Sequence, residues 1–414
     1  MRRSFAWGIV DQGFSSATNL VVSLVAARLL GPYGLGVFAI GFSAYLLSVN
    51  FLRTFLSEPA IIGSTTIAPQ ERALAARAAL TMAVALGLAA SAFFALVGLA
   101  LPGAIGRGLL LFSPWLAPAL VNELCRSVLF RDGRGRGAAL NEASWFLATA
   151  AAIPLAVAAD AVWAVVAAWG IGASTAAVLG LAQLRLRPLR PQAALTWWRR
   201  HVWPLGRWLA TAGLIFAASG QGVTLIFAAL LGPSAVGGLR AAQTIFAPLT
   251  LLGTAATLPG LPALARSLQH SLSAARWLAA KTSGMLVVMT LVYLLLVGAA
   301  RGQLLAFLFG ERFRHYDWLI APVGGQQLLL AAGLGFVLLL KANRQGLDLV
   351  WVRLVASAAT LGLGTVLAWH DGLAGGVWGL AAGTAVGSAM LACYALWPTR
   401  SRAWLAPRLV RSAG

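Results

Sequence analysis

The chain has 414 residues, of which 60% are hydrophobic and only 10% are charged, and its 31 Lys and Arg outnumber 11 Asp and Glu to give a net charge of +20. A soluble domain carries about 25% charged residues, so this composition excludes soluble, disordered and fibrous classes of protein. We attribute the positive charge to the cytoplasmic loops of a membrane protein, which are rich in Lys and Arg, and not to nucleic-acid binding.

Twelve apolar runs are predicted to span the membrane as helices. A membrane helix uses about 20 apolar residues, and none of the runs alternates like the strands of a membrane β-barrel. The runs cover 8–30, 36–57, 79–101, 109–130, 141–159, 161–184, 209–231, 236–258, 283–300, 318–340, 350–369 and 374–397. They predict an all-α membrane protein with four parts: an N-lobe (1–184), a connector (185–208), a C-lobe (209–397) and a basic cytoplasmic tail (398–414).

The first span is polar along one face. Its polar residues form two adjacent helical stripes, Asp11, Ser15 and Thr18 beside Gln12, Ser16, Asn19 and Ser23. A helix that is polar on one side faces water or a polar partner, although polar packing between helices is an alternative. We predict a cavity wall in which Asn19 binds substrate and Asp11 takes part in coupling or gating.

Charged residues also lie in the second and fourth spans. Arg53 and Glu58 lie at the end of span 2, and Glu123 and Arg126 in span 4 are one helical turn apart and are expected to pair. Ionisable residues within a membrane are costly and are therefore functional candidates. Glu58, Glu123 and Arg126 join Asp11 as coupling or gating candidates.

A set of arginines predicts a preference for anions. Arg28 ends the first span, Arg53 ends the second and Arg240 lies in the eighth, with Gln221 in span 7 as an uncharged companion. The planar guanidinium binds two phosphate oxygens at once and keeps its charge at any relevant pH. We predict that these four residues line a substrate cavity, with the alternative that Arg53, and likewise Arg28 at the outer end of its span, extends to the lipid headgroups.

The distribution of basic residues predicts the orientation. With the N-terminus placed inside, 23 Lys and Arg fall on the inner side and four on the outer side. This bias places both termini in the cytoplasm. The connector 185–208 mixes arginines with four tryptophans, as expected of a segment at headgroup level.

The two halves contain a short repeat. A-R-L-L-G-P at 27–32, followed by Gly36, returns as A-A-L-L-G-P at 228–233, followed by Gly237. Both copies close the first span of their half, and six spans separate them. The halves therefore face the same way, which predicts a parallel pseudo-two-fold repeat, an architecture of transporters.

Enzyme signatures are missing from the sequence. The four histidines have no metal-ligand spacing, and no nucleotide-binding loop or catalytic serine motif occurs. The outer loop 301–317, with Arg314 and His315, is kept as the site of an alternative function, a membrane glycan polymerase or ligase.

Several motifs resemble a known group of proteins. Asp11-Gln12-Gly13, ARLLGPYGLGVFAI at 27–40 and LFGERF at 308–313 resemble the polysaccharide (O-antigen and exopolysaccharide) flippases of the multidrug/oligosaccharidyl-lipid/polysaccharide (MOP) exporter superfamily. N-F-L-R at 50–53, followed by Glu58, is similar to the second-helix motif of the lipid II flippases, in which the arginine and the acid line the central cavity. Lipid II flippases usually have fourteen spans and a glycine where this chain has Pro59, so the polysaccharide branch fits better.

The resemblance implies a two-lobed, MATE-like flippase in a bacterial inner membrane. Its cargo would be an oligosaccharide on a polyprenyl pyrophosphate, moved from the inner to the outer leaflet by alternating access through a cationic central cavity. Membrane lipids and other polysaccharide assembly proteins would be its partners. No cofactor is expected, and coupling to Na⁺ or H⁺ is left open. A multidrug or cation antiporter of the same fold is the main alternative, because acids lie in the same spans.

Overall fold

The computed structural model describes residues 2–60, 69–343 and 346–396, and its regular structure within these ranges is helical. The first half contains α1 (Arg2–Leu52), a π-helix (Arg53–Ser57), α2 (Pro69–Ala100), α3 (Gly103–Arg131), α4 (Gly135–Ala159), α5 (Val162–Leu184) and α6 (Pro191–His201). The second half contains α7 (Trp203–Leu231), α8 (Pro233–Ile245), α9 (Ala247–His270), α10 (Leu272–Ala299), α11 (Arg301–Phe309), a 3-10 helix (Glu311–Leu319), α12 (Ile320–Ala342) and α13 (Gly346–Leu396). The predicted tail 398–414 lies outside the described residues.

The described helices give twelve crossings in two lobes. Nine helices are long and apolar enough to cross a membrane. Two of these, α1 and α13, turn back on themselves at Gly31 and Gly372 and so cross twice, and α8 continues into α9 to make one further crossing. The predicted all-α fold with two six-helix lobes is therefore confirmed. We call the side of the membrane that carries Gly31 the Gly31 face and the side that carries the N-terminus the terminal face.

Both copies of the repeat make the same backbone turn. Gly31 (φ 66°) and Gly232 (φ 84°) adopt a left-handed conformation that only glycine enters without strain. The next residue in each copy is a proline, whose fixed φ suits the first turn of a helix. The sequence repeat thus corresponds to a structural repeat at the Gly31 face.

The lobes are joined by one continuous core. The largest buried cluster contains Phe38, Phe112 and Trp169 from the first half and Phe227 and Phe246 from the second. Because lipid tails are as apolar as these side chains, close packing and not hydrophobic transfer holds membrane helices together. Two glycines, Gly36 and Gly237, allow such packing where the two lobes meet.

Two elements differ from the predicted spans. The outer loop 301–317 is largely helical, because Leu305, Phe309 and Phe313 are buried in the core and anchor α11 and the 3-10 helix. The predicted span 236–258 is interrupted at Phe246. Pro248 lies in the first turn of α9 and has no amide to continue the hydrogen bonds of α8.

Candidate functional site

The end of α1 is widened into a π-helix that carries Arg53. The amide of Glu58 donates to the carbonyl of Arg53, a bond that spans five residues. Pro59 has no amide to offer the carbonyl of Phe55, and this carbonyl lies against Gly206 at the start of α7. Single π-turns inside α-helices are frequent at functional sites, and this one begins at Arg53.

Arg53 binds Glu123 across the lobe through two donors. Its Nε is 2.6 Å from Oε1 and its Nη2 is 2.9 Å from Oε2. Glu123 is buried, whereas the Arg53 side chain is 43% exposed. The interpretation that Arg53 extends to the headgroups is therefore wrong: it pairs inside the lobe and keeps one side open to a ligand. Glu58 is exposed one turn beyond it.

Arg126 lies at the centre of the same network. It donates to Asp11 on α1, with Nη2 at 2.5 Å from Oδ2, and Nε lies 3.2 Å from Oε1 of Glu142 on α4. Its Nη1 is 3.0 Å from Oε2 of Glu123, so the predicted pair one turn apart is present. One guanidinium thus connects three carboxylates from three helices.

The network contains more negative than positive charge. Among the described residues, the carboxylates of Asp11, Glu123 and Glu142 face the guanidiniums of Arg53 and Arg126. If all five groups ionise, the sum is minus one. A buried charge without a partner is costly, so uptake of one cation or one proton would neutralise the network.

Glu142 was missed by the sequence analysis, although its surroundings are as polar as those of Glu123. Asn122 donates from Nδ2 to Oε1 of Glu142 at 3.1 Å, and Asn141 on the same helix is fully buried. Glu142 is the second residue of the predicted span 141–159, and a charged residue in that position is usually taken to mark the end of a membrane span. The adjacent polar pair Asn141-Glu142 within an apolar run is the signal that could have identified it as an intramembrane group.

The polar face of the first span divides into two parts. Asp11, Thr18 and Ser23 are buried, whereas Gln12 is exposed and Asn19 is half-buried. The predicted cavity wall is therefore wrong for the first set, which packs against neighbouring helices and the Arg126 network. The role of Asn19 in binding substrate stays a prediction.

Arg240 lines a small cavity between the lobes. The cavity measures about 170 Å³ and is bounded by α1, α7 and α8. The guanidinium lies 4.9 Å from the ring centroid of Phe42, and its Nε has no hydrogen-bond partner among the described residues. No Asp or Glu is among the residues that line the cavity, which are Ala39, Phe42, Ser43, Gly220, Gln221, Val223, Thr224, Val236, Leu239, Arg240 and Gln243.

This cavity lies close to the middle of the membrane. Phe42 and Gln221 are each about ten residues from the turns at the Gly31 face, which corresponds to about 15 Å of helix, and the hydrocarbon core is about 30 Å thick. Substrate sites of transporters built from repeats lie near the midplane at the repeat interface. The structure brings the predicted residues Arg240 and Gln221 together there.

The lobes are closed against each other at the Gly31 face. A Cβ on Gly36 would overlap the carbonyl oxygen of Pro233, and a Cβ on Gly237 would overlap that of Pro32. The two copies of the repeat therefore cross at a symmetric backbone contact that requires glycine on both sides.

Arg28 reinforces this closed contact. Its guanidinium donates to the carbonyl of Leu308 at 3.0 Å and to that of Phe307, near the end of α11. A cation is favoured at the C-terminal end of a helix. The structure therefore places Arg28 at the Gly31-face contact and outside the Arg240 cavity, so it does not join the substrate cavity predicted for it.

Solved structures with the same architecture are transporters. No protein-family profile and no curated protein matches the chain. An inward-facing multidrug resistance MATE family transporter of the MOP superfamily superposes with a TM-score of 0.71 at 15% identity, covering 91% of this chain and 93% of the other. The chain has the MATE-like fold. The lipid II flippase MurJ in an inward closed conformation also gives 0.71, at 13% identity, covering 94% of this chain and 86% of MurJ.

A third solved structure with this fold is in an outward-facing conformation. An outward-facing MATE family transporter of the MOP superfamily gives a TM-score of 0.59 at 14% identity, covering 94% of this chain and 92% of the other.

Proposed function

We propose that the protein is a flippase that carries a polyprenyl-pyrophosphate-linked oligosaccharide across a bacterial inner membrane by alternating access. The observation that carries this proposal is Arg240, a guanidinium near the midplane. Its Nε has no partner among the described residues, and the described lining of its cavity contains no Asp or Glu. A guanidinium whose Nε is buried without a partner is costly to keep, and a phosphate group that enters the cavity would offset this cost. The amides of Gln221 and Gln243 supply further donors.

The same geometry supplies a route for the cargo. The contact of Gly36 and Gly237 closes the Gly31 face, while Arg53 is partly exposed on the path from the terminal face. With the termini in the cytoplasm, as the basic residues predict, the cargo would enter from the inner leaflet. Its pyrophosphate would pass from Arg53 to Arg240, and its lipid tail would stay in the bilayer.

Binding of the anionic carrier tests this proposal. The purified protein is expected to bind a radiolabelled polyprenyl pyrophosphate and to ignore the uncharged polyprenol of equal length. Arg240→Gln should weaken binding of the pyrophosphate about 10- to 100-fold, since a hydrogen bond to a charged group contributes about 1.5 to 3 kcal/mol. Arg266→Gln, an exposed arginine on α9, is the matched control. Equal binding of both lipids, or by both variants, would overturn the proposal.

A cation antiporter of the same fold is the second candidate, and the excess carboxylate of the Arg126 network favours it. A cationic dye such as ethidium distinguishes the two functions. The antiporter predicts dye binding that Glu142→Gln abolishes and that Arg240→Gln leaves intact or strengthens. The flippase predicts no dye binding by the wild-type protein.

A further inference from the structure

The C-lobe encloses a second and larger cavity that the proposed function does not use. It has a volume of about 540 Å³, within the 300 to 1,000 Å³ that is usual for ligand sites. Its walls come from α7, α9, α10, α12 and both arms of α13. It adjoins the Arg240 cavity at Gly220, which lines both.

The middle of this C-lobe cavity is apolar and uncovered. Leu252, Met289 and Leu330 line it, and 37%, 41% and 51% of their surface is not covered by protein. An apolar cavity of this kind is suited to a hydrocarbon chain.

One end of the cavity carries positive charge. Lys341 lies at the last turn of α12 and Arg353 in the second turn of α13, and both line the cavity at the terminal face. Where the structure describes the lining, it contains no Asp or Glu. Lipid headgroups lie at this level, so the pair is positioned to meet an anionic headgroup.

The apolar section of the C-lobe cavity fits one leaflet. The whole cavity follows α12 from Gln326 to Lys341, which is about 22 Å at 1.5 Å per residue, and both of its ends are polar. One leaflet of hydrocarbon is about 15 Å deep. The deep end is polar, since Gln326 donates there to Thr384 at 3.2 Å. The apolar section therefore has the length of one hydrocarbon chain from a single leaflet and is too short for a lipid that spans the bilayer.

We infer that the C-lobe cavity binds one anionic phospholipid of the terminal-face leaflet, with a hydrocarbon chain inside the lobe and its phosphate at Lys341 and Arg353. Charge complementarity selects the phosphate, and the uncovered apolar wall selects the chain. This inference is independent of the proposed function, because it concerns a different cavity and its test measures lipid binding and not transport.

Native mass spectrometry of the full chain in detergent tests the inference with added phosphatidylglycerol or phosphatidylcholine. The wild-type protein should retain one phosphatidylglycerol in preference to phosphatidylcholine. Lys341→Gln should reduce this preference about fivefold, since one basic residue near an anionic surface contributes about 1 kcal/mol. Lys281→Gln, whose lysine stacks over Trp277 outside the cavity, should leave it unchanged.

A second variant fills the cavity itself. Among the described atoms, a Cβ on Gly253 would meet Leu334 alone, at 3.5 Å, so Gly253→Leu extends into the apolar section and replaces a poor helix former. It should lose most of the retained lipid of either kind, whereas Gly284→Leu, on an open surface of α10, should keep it. Retention by Gly253→Leu, an unchanged preference in Lys341→Gln, or displacement of the lipid by excess inorganic phosphate would overturn the inference.

Discussion

Arg126 binds Asp11 through two donors, Nε to Oδ1 at 3.2 Å and Nη2 to Oδ2 at 2.5 Å, although the residues lie on different helices and 115 positions apart. This pair fixes the first span against α3. It also explains why a carboxylate is tolerated near the start of an apolar helix.

Removal of the central cation should destabilise the protein strongly. Arg126→Gln leaves Asp11 and Glu142 buried without their partner, and breaking a buried ion pair in this way costs about 3 to 5 kcal/mol. Thermal unfolding in detergent should show a clear drop in midpoint. Arg314→Gln, which removes an exposed 3.7 Å pair with Glu311, should change stability by less than about 0.5 kcal/mol. Equal midpoints for the two variants would show that the network is not structural.

The excess charge of the network gives a different expectation for Glu142. Glu142→Gln keeps an oxygen for Asn122 and leaves two carboxylates facing two guanidiniums, so the folded protein should be no less stable than the wild type. Transport in proteoliposomes should then lose its response to an imposed pH or Na⁺ gradient. Asp160→Asn, at the exposed end of the same helix, should respond as the wild type does. A gradient response that survives in Glu142→Gln would exclude this network as the coupling site.

The crossing of the two repeats predicts a conformational effect of a single methyl group. Gly36→Ala introduces a Cβ onto the carbonyl of Pro233 and should prevent closure of the Gly31 face. In a background without Cys125 and Cys393, a cysteine at Ser234 should react faster with an impermeant maleimide when Gly36→Ala is present. Gly13→Ala, which has open space around its Cβ, should leave the labelling rate unchanged. Unaltered labelling in Gly36→Ala would mean that the contact does not control access.

The crossings, the orientation of the halves and the repeat could be predicted from the sequence because each depends on local pattern. The apolar runs predict the spans, and the glycine-proline pairs that begin at Gly31 and Gly232 indicate the repeat. The pair of Glu123 and Arg126 was also predictable, because both residues lie on one helix at a spacing of three.

Contacts between helices could not be predicted in the same way. The bonds from Arg126 to Asp11 and from Arg53 to Glu123 depend on which helix faces are packed together, and no local spacing reports this. The π-helix was not predicted, because no local pattern shows that Pro59 leaves the carbonyl of Phe55 without an amide or that this carbonyl lies against Gly206. Arg28 was grouped with the cavity because its chemistry is right, but its position at the Gly31 face gives it backbone carbonyls to bind.

Translocation of a lipid-linked oligosaccharide in proteoliposomes tests the central role of Arg240 most directly. The wild-type protein should deliver the fluorescent carrier to the opposite leaflet, Arg240→Lys should retain part of the rate, and Arg240→Gln should be about 10- to 100-fold slower. Arg266→Gln should match the wild type. Wild-type rates in Arg240→Gln would contradict an arginine-based site for the pyrophosphate.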